Sequence, residues 1–377
     1  MKRFLLLALI LASCHKEQSA TIHTVSQIAS GTGAGCAIVD GGVQCWGNNA
    51  YGTLGNGNII PSPRPVKTIA LTGTIDHLTG ANVNFCATAD GILYCWGYNA
   101  TAMTGTGDVG TDHDTPTPVV GTFTHIKQVS GSSSGHYCLL SDEGMYCWGI
   151  NGHGQLGDGT STNRDIPTKV VGLAETPTQI FAGGQHTCAV VSGNAFCWGN
   201  NSQGQLGRGT TGGTSTTPTV VTGLSGVTAM SGTFYSSCAL TDAGAVKCWG
   251  SNDYGELGNN GSTDTSSPAD VTRLASGVAQ IAGGRFHMLA IANGQLFSWG
   301  GNQYGQLGDN TTTDSPVPVG VTEITGTVDS VDAHGLLSCA LISGEAYCWG
   351  RNYSGELGNG KTKRNSSVPV KVGPWAD

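Results

Sequence analysis

The stretch CAIVDGGVQCWGNN, residues 36–49, sets two cysteines nine positions apart around an Asp-Gly pair and follows them at once with Trp-Gly. Asp40-Gly41 suits the two central residues of a type I′ hairpin turn, both of which need positive φ. Counting outward from that turn, Val39 faces Gly42, Ile38 faces Val43, Ala37 faces Gln44 and Cys36 faces Cys45. Antiparallel partners alternate between hydrogen-bonded and non-hydrogen-bonded pairs, and the cysteines fall on a non-hydrogen-bonded pair, where side chains lie closer. The spacing therefore predicts a cross-strand disulfide.

Asp90-Gly91, Ser192-Gly193 and Ser343-Gly344 give the same register, and "DAG" before Cys248 allows a three-residue loop with Gly244 left-handed. Six bonds are expected: Cys36–Cys45, Cys86–Cys95, Cys138–Cys147, Cys188–Cys197, Cys238–Cys248 and Cys339–Cys348. The alternative is a set of free buried thiols. A sixth copy, MLAIANGQLFSW, has Met288 and Ser298 where the cysteines are expected, so both are lost together. Joint loss fits a bonded pair; a metal site would need four convergent ligands instead. Each bond closes a ten-residue loop, worth at most about 2–3 kcal/mol.

The same unit recurs along the chain. Trp46, Trp96, Trp148, Trp198, Trp249, Trp299 and Trp349 each precede glycine at spacings of 50–52 residues. After each Trp-Gly comes a second motif such as NGHGQLGDG or NNSQGQLGRG, then a polar loop with proline and a short strand such as PTKVVGL. Only the second copy, YNATAMTGTG, departs from it. About four short strands per repeat, with no helix-length apolar periodicity, identify an all-β, seven-bladed β-propeller of four-stranded blades. Because TIHTVSQIASG opens the chain with no proline-valine strand before it, Val368–Val372 is expected to complete the first blade and close the ring.

Residues 1–13 read as an export signal: Lys2 and Arg3, then an apolar run from Phe4 to Ala12. "LASC" resembles the bacterial lipobox, which makes Cys14 the expected lipidation site. The remaining twelve of the 13 cysteines all pair. Residues 14–21 form a short tether of some 27 Å at most, at about 3.4 Å per residue, and residues 22–377 form the propeller. An exported chain meets an environment in which disulfides persist. Membrane contact is expected through the N-terminal lipid only. Without Lys2 and Arg3, 15 basic residues face 25 acidic ones, and no basic run tracks phosphates, so nucleic acid is excluded as a partner.

The segment AGGQHTCAVVSGNAFCWGNNSQGQLGRG resembles the repeat of the regulator of chromosome condensation family, seven-bladed propellers, and the resemblance covers roughly residues 25–373. The family's founding member is a nuclear guanine nucleotide exchange factor that binds chromatin, and it also has secreted bacterial members, among them a β-lactamase inhibitor. Exchange activity is not carried over: this chain reads as exported and acidic, and its uniform repeats leave no room for an exchange wedge. Fold alone does not assign function.

No G-x-S-x-G elbow, H-E-x-x-H motif or P-loop is present. The Asp/Asn-rich loops match no EF-hand spacing, and neither cofactor nor metal is expected. What varies is the loop before each first cysteine: TGAG, NVNF, SGHY, GQHT, FYSS, GRFH and GLLS. Pseudo-sevenfold symmetry gathers these loops on one rim, with Phe85, His136, Tyr137, His186, Phe234, Tyr235, Arg285, Phe286, His287, Leu336 and Leu337. Aromatics and Arg favour interfaces, whereas the competing reading has these side chains packing between blades or plugging the channel. The expectation is a monomeric, non-catalytic scaffold that binds a protein or glycan. A cell-envelope glycan-active enzyme using paired acids in the central funnel is the alternative, and guanine nucleotide exchange, implied by the family resemblance, is a third reading that a cytoplasmic location would revive.

Overall fold

The Cys36–Cys45 hairpin forms in the expected register, from Val39 opposite Gly42 out to Cys36 opposite Cys45. Asp40 and Gly41 take φ of 51° and 79°, as a type I′ turn requires. All six expected disulfides are present, their Cα atoms 4.0–4.1 Å apart, the close approach of a non-hydrogen-bonded pair. The sixth copy needs a one-residue correction. Leu289, not Met288, faces Ser298, while Met288 faces Trp299. Its Asn293-Gly294 turn has two residues, so the pair is nine apart rather than ten as in the fifth copy. Both cysteines are still absent together.

The computed structural model describes residues 23–377; the expected signal, Cys14 and the tether lie outside the described residues. The described chain forms seven four-stranded antiparallel sheets, each built from four consecutive strands. In the first blade these are β1 (Val25–Gly31), β2 (Ala34–Val39), β3 (Gly42–Gly47) and β4 (Ser62–Lys67). In the seventh they are β25 (Val328–His334), β26 (Leu337–Ile342), β27 (Glu345–Gly350) and β28 (Ser366–Lys371).

The expected strand closure is therefore corrected. β28 pairs with β27, and the first blade is complete without it. The proline-valine strand of each repeat is the outer strand of its own blade, not the inner strand of the next. Prolines such as Pro63, Pro65 and Pro369 lie on these outer strands, where a missing N–H blunts an exposed edge.

What joins neighbouring blades is the pair of motifs that repeat together. Each Trp indole N–H donates to a backbone carbonyl of the preceding blade's second motif: Trp96 to Thr53, Trp198 to Gln155 and Trp349 to Gln306, at 2.9–3.0 Å. The glycine directly after the motif's leucine lies against the same indole, so a Cβ on Gly157 would sit 2.5 Å from Trp198 Nε1. The ring closes by repeating this clasp, with Trp46 donating to Glu356 O at 2.8 Å and Gly358 against its ring. The C-terminal tail adds to it: Trp375 meets Trp46 edge-on at 5.8 Å, and Gln44 exchanges two hydrogen bonds with Ala376.

Gly157→Ala tests the clasp. Gly157 has φ of +70° as well as no room for a methyl group. Strain and overpacking together are expected to cost about 3 kcal/mol. A thermal midpoint equal to wild type would refute the clasp.

Inner strands are stitched around the axis by glutamines. Gln27, Gln128, Gln179 and Gln280 each bond the next inner strand in both directions, as with Gln179 Nε2 to Met230 O and Met230 N to Gln179 Oε1. They enclose a central channel of about 330 Å³. Because each blade is an up-and-down meander, the hairpin turns lie on one face of the disc. The loops before the first cysteine and the Trp-Gly segments share the other.

Candidate binding face

The eleven rim residues split by their distance from the cysteine. Phe85, Tyr137, His136, His186, His287 and Leu337 lie one or two positions before it (Leu289 standing in for the cysteine in the sixth blade), and all six are buried. At that depth the chain has already entered the second strand, and its side chains point between blades. Phe85 stacks on Trp96 and Tyr137 on Trp148. As contact residues these six are corrected to packing.

The histidines have a structural task of their own. His136, His186 and His287 place Nε2 2.8–2.9 Å from Thr187, Ser237 and Ser338 of the next blade. Each hydroxyl donates its only proton to a carbonyl, of Gln155, Gln205 and Gln306 respectively. Nε2–H must therefore be the donor, and Nδ1 is left buried without a partner. Burial holds all three histidines at a pKa of about 3. Where the histidine is absent, the Ser or Thr is absent too: Ala34 precedes Phe85, Asn84 precedes Tyr137, Ser236 precedes Met288 and Leu337 precedes Gly35.

The remaining five, three or four positions before the cysteine, occupy the loop tips. Phe234, Tyr235, Phe286 and Leu336 are half-buried and Arg285 is exposed. Phe234 and Tyr235 meet edge-on at 4.5 Å. The Arg285 guanidinium lies 5.3 Å from the Phe234 ring and 5.0 Å from the Phe286 ring. Backbone bonds fix the loops to one another, Phe234 N to Arg285 O at 3.1 Å and Arg285 N to Gly335 O at 2.7 Å. The corresponding tips of the first four blades are Thr32-Gly33, Asn82-Val83, Ser134-Gly135 and Gly184-Gln185. At these positions aromatic and cationic side chains occur only in the fifth and sixth blades, and the seventh adds the aliphatic Leu336.

The rim reading missed the tyrosines. Tyr254 packs on Phe286 at 4.8 Å, and Tyr304 lines the same groove of about 830 Å³ with Arg285, Asn302, Asp314 and Leu336. Both precede the first glycine of the Trp-Gly repeat's second motif, a position held by Tyr, His, Gln or Ser in other copies. That variability inside a constant motif was the available signal. Beneath Tyr254, the buried Glu256 accepts its backbone N–H at 2.9 Å. Burial raises Glu256 to about 7, in a position where three other blades carry Gln155, Gln205 and Gln306.

Asp332 is the only carboxylate lining the central channel among the described residues. It accepts from Ser30 N at 2.6 Å and from the Ser30 hydroxyl, and burial raises its pKa against those bonds. His334, two residues on, reaches Ser133 across the channel at 3.1 Å. The paired acids that a glycan hydrolase would need do not occur there. Among the described residues no His, Cys, Asp and Glu group could hold a metal ion.

Comparison with known proteins places the repeat and the fold. The human E3 ubiquitin-protein ligase HERC2 is 32% identical over 264 residues, 67% of this chain but 5% of the ligase. The Arabidopsis thaliana ultraviolet-B receptor UVR8 is 27% identical over 74% of this chain and 65% of the receptor. The chain thus spans less than two thirds of either relative. Yeast RCC1 (Prp20), solved bound to Kap60, superposes with a TM-score of 0.77 at 21% identity, covering 99% of this chain and 91% of that one. The family model described as the regulator of chromosome condensation (RCC1) repeat matches residues 142–190, 192–240, 243–291, 293–341 and 343–375. On those matched repeats, the chain belongs to the regulator of chromosome condensation (RCC1) repeat family.

Proposed function

We propose that this chain is a non-catalytic binding scaffold that engages a protein partner through the loop face of its fifth, sixth and seventh blades. One observation carries the reading: Phe234, Tyr235, Arg285, Phe286 and Leu336 cluster at loop-tip positions that hold no aromatic residue or arginine in the first four blades. Rings and an Arg held by packed, hydrogen-bonded loops are the residue types that anchor protein interfaces. The RCC1-like propeller supports a protein-binding or regulatory scaffold, and the six disulfide pairs fit an extracellular or exported protein. The finer reading is a bacterial envelope lipoprotein anchored through Cys14. The groove's rings with Asn302, Gln303 and Asp314 also suit a glycan, which is the second occupant to consider.

A crosslinking pull-down from the native envelope tests the face. The variant should carry Phe234→Ser, Tyr235→Ser and Phe286→Ser; Phe85 and Tyr137 are unsuitable because truncating them would leave cavities in the core. A partner held by wild type and released by the triple variant, with thermal midpoints alike, is the expected result. Identical capture by both proteins would end the reading.

A further inference from the structure

The groove beside Arg285 holds a cation that packing alone does not explain. Phe234 and Phe286 flank its guanidinium, and the backbone on both sides of it is bonded to neighbouring loops. Among the described residues no carboxylate forms an ion pair with it. Asp314, the one acid lining the groove, already accepts from Asn302 N at 2.6 Å. Arg64, Arg273 and Arg364 are also exposed without an ion-pair partner, but none of them lies against an aromatic ring; Arg285 is set apart by its two ring contacts and its loop-bonded backbone.

We propose that this groove recognises a carboxylate-bearing peptide segment. An Asp or Glu side chain sits on Arg285, and a neighbouring aromatic or aliphatic side chain packs against Phe286, Tyr254 and Leu336. The inference rests on the binding-face reading above and adds the chemistry of the partner. A guanidinium lying against rings keeps the N–H donors along its edge, and that planar fork matches a carboxylate bidentately. A polyanion such as nucleic acid would need several cations in a row, whereas this groove offers one. Its volume of about 830 Å³ leaves room for the flanking side chain.

The test is selection of a random peptide library on the immobilised full chain, followed by fluorescence anisotropy with the most enriched peptide. Enriched peptides are expected to share an Asp or Glu next to an aromatic or aliphatic residue. Changing that acid to its amide, or Arg285→Leu, should each weaken binding about 10- to 100-fold, the worth of a charged hydrogen bond. Arg285→Lys should fall between. Enrichment that ignores Arg285→Leu but is lost with Phe286→Ser would overturn the carboxylate and leave the face. Enrichment indifferent to both variants would overturn both readings, and a selection with no Arg285-dependent peptide would overturn this inference. Dimerisation of the chain through Arg285 would overturn the peptide in favour of a second copy. Thermal midpoints of the variants equal to wild type exclude misfolding as the cause.

Discussion

Lowering the pH from 7 to 5 is expected to cost the propeller several kcal/mol through its buried histidines. His136, His186 and His287 are held at about 3 and His334 at about 4, all by burial. Their ordinary value is about 6.5, so below that pH the unfolded chain takes up protons that the folded chain refuses. Stability is therefore intact above pH 6.5 and drains away as the pH falls toward the folded values. At pH 5 each histidine accounts for about 2 kcal/mol, and the four together for about 8. Glu256 works in the opposite sense. With its folded pKa raised to about 7, its contribution is lost as the pH rises, so acidification returns about 2 kcal/mol. The net loss is about 6 kcal/mol by urea unfolding at the two pH values. His186→Gln should flatten the difference by about 2 kcal/mol, whatever it costs overall. An unchanged pH dependence in that variant would show that His186 is not buried in its neutral form.

The second large effect concerns ring closure. Deleting residues 366–377 removes β28, buried Val372 and the Trp375 contact with Trp46. The lost apolar burial alone is expected to cost about 5 kcal/mol, with a marked fall in the thermal midpoint. Removing only residues 373–377 strips the edge-on ring pair and the Gln44–Ala376 bonds, worth about 2 kcal/mol. Hydrogen exchange locates the damage. The longer deletion should deprotect Glu345–Gly350, the strand that pairs with β28, and leave Gly42–Gly47 paired with β4. Deprotection of Gly42–Gly47 instead would mean that the last strand serves the first blade after all.

How far the sequence could be read follows from which kinds of order it encodes locally. The Cys36–Cys45 register and the positive φ at Asp40-Gly41 are settled within ten residues, so turn chemistry and strand alternation suffice. Ring closure is different, because a cyclic repeat has no phase in one dimension. The strand containing Val370 sits between two Trp-Gly units, and only its hydrogen bonds to Tyr347 and Cys348 show which one it joins. The rim failed for a related reason. His186 and Gln185 are adjacent in sequence, yet one points between blades and the other lies at the loop tip. That boundary depends on where the second strand begins, and a one-residue error, such as taking Met288 for Leu289, moves a side chain from one environment to the other. Tyr254 and Tyr304 escaped because a constant motif was read as scaffold throughout.

The central claim, that the fifth to seventh blades carry the partner, is tested most directly by placing a photo-crosslinking amino acid at single positions and irradiating the chain in its native envelope. Tyr254 and Tyr304 sample the groove; Asp90 and Asn194, exposed on the hairpin turns, sample the opposite face. The account predicts one adduct of the same size from positions 254 and 304 and none from positions 90 and 194. Adducts from the hairpin-turn positions alone would place the partner on the other face and contradict it.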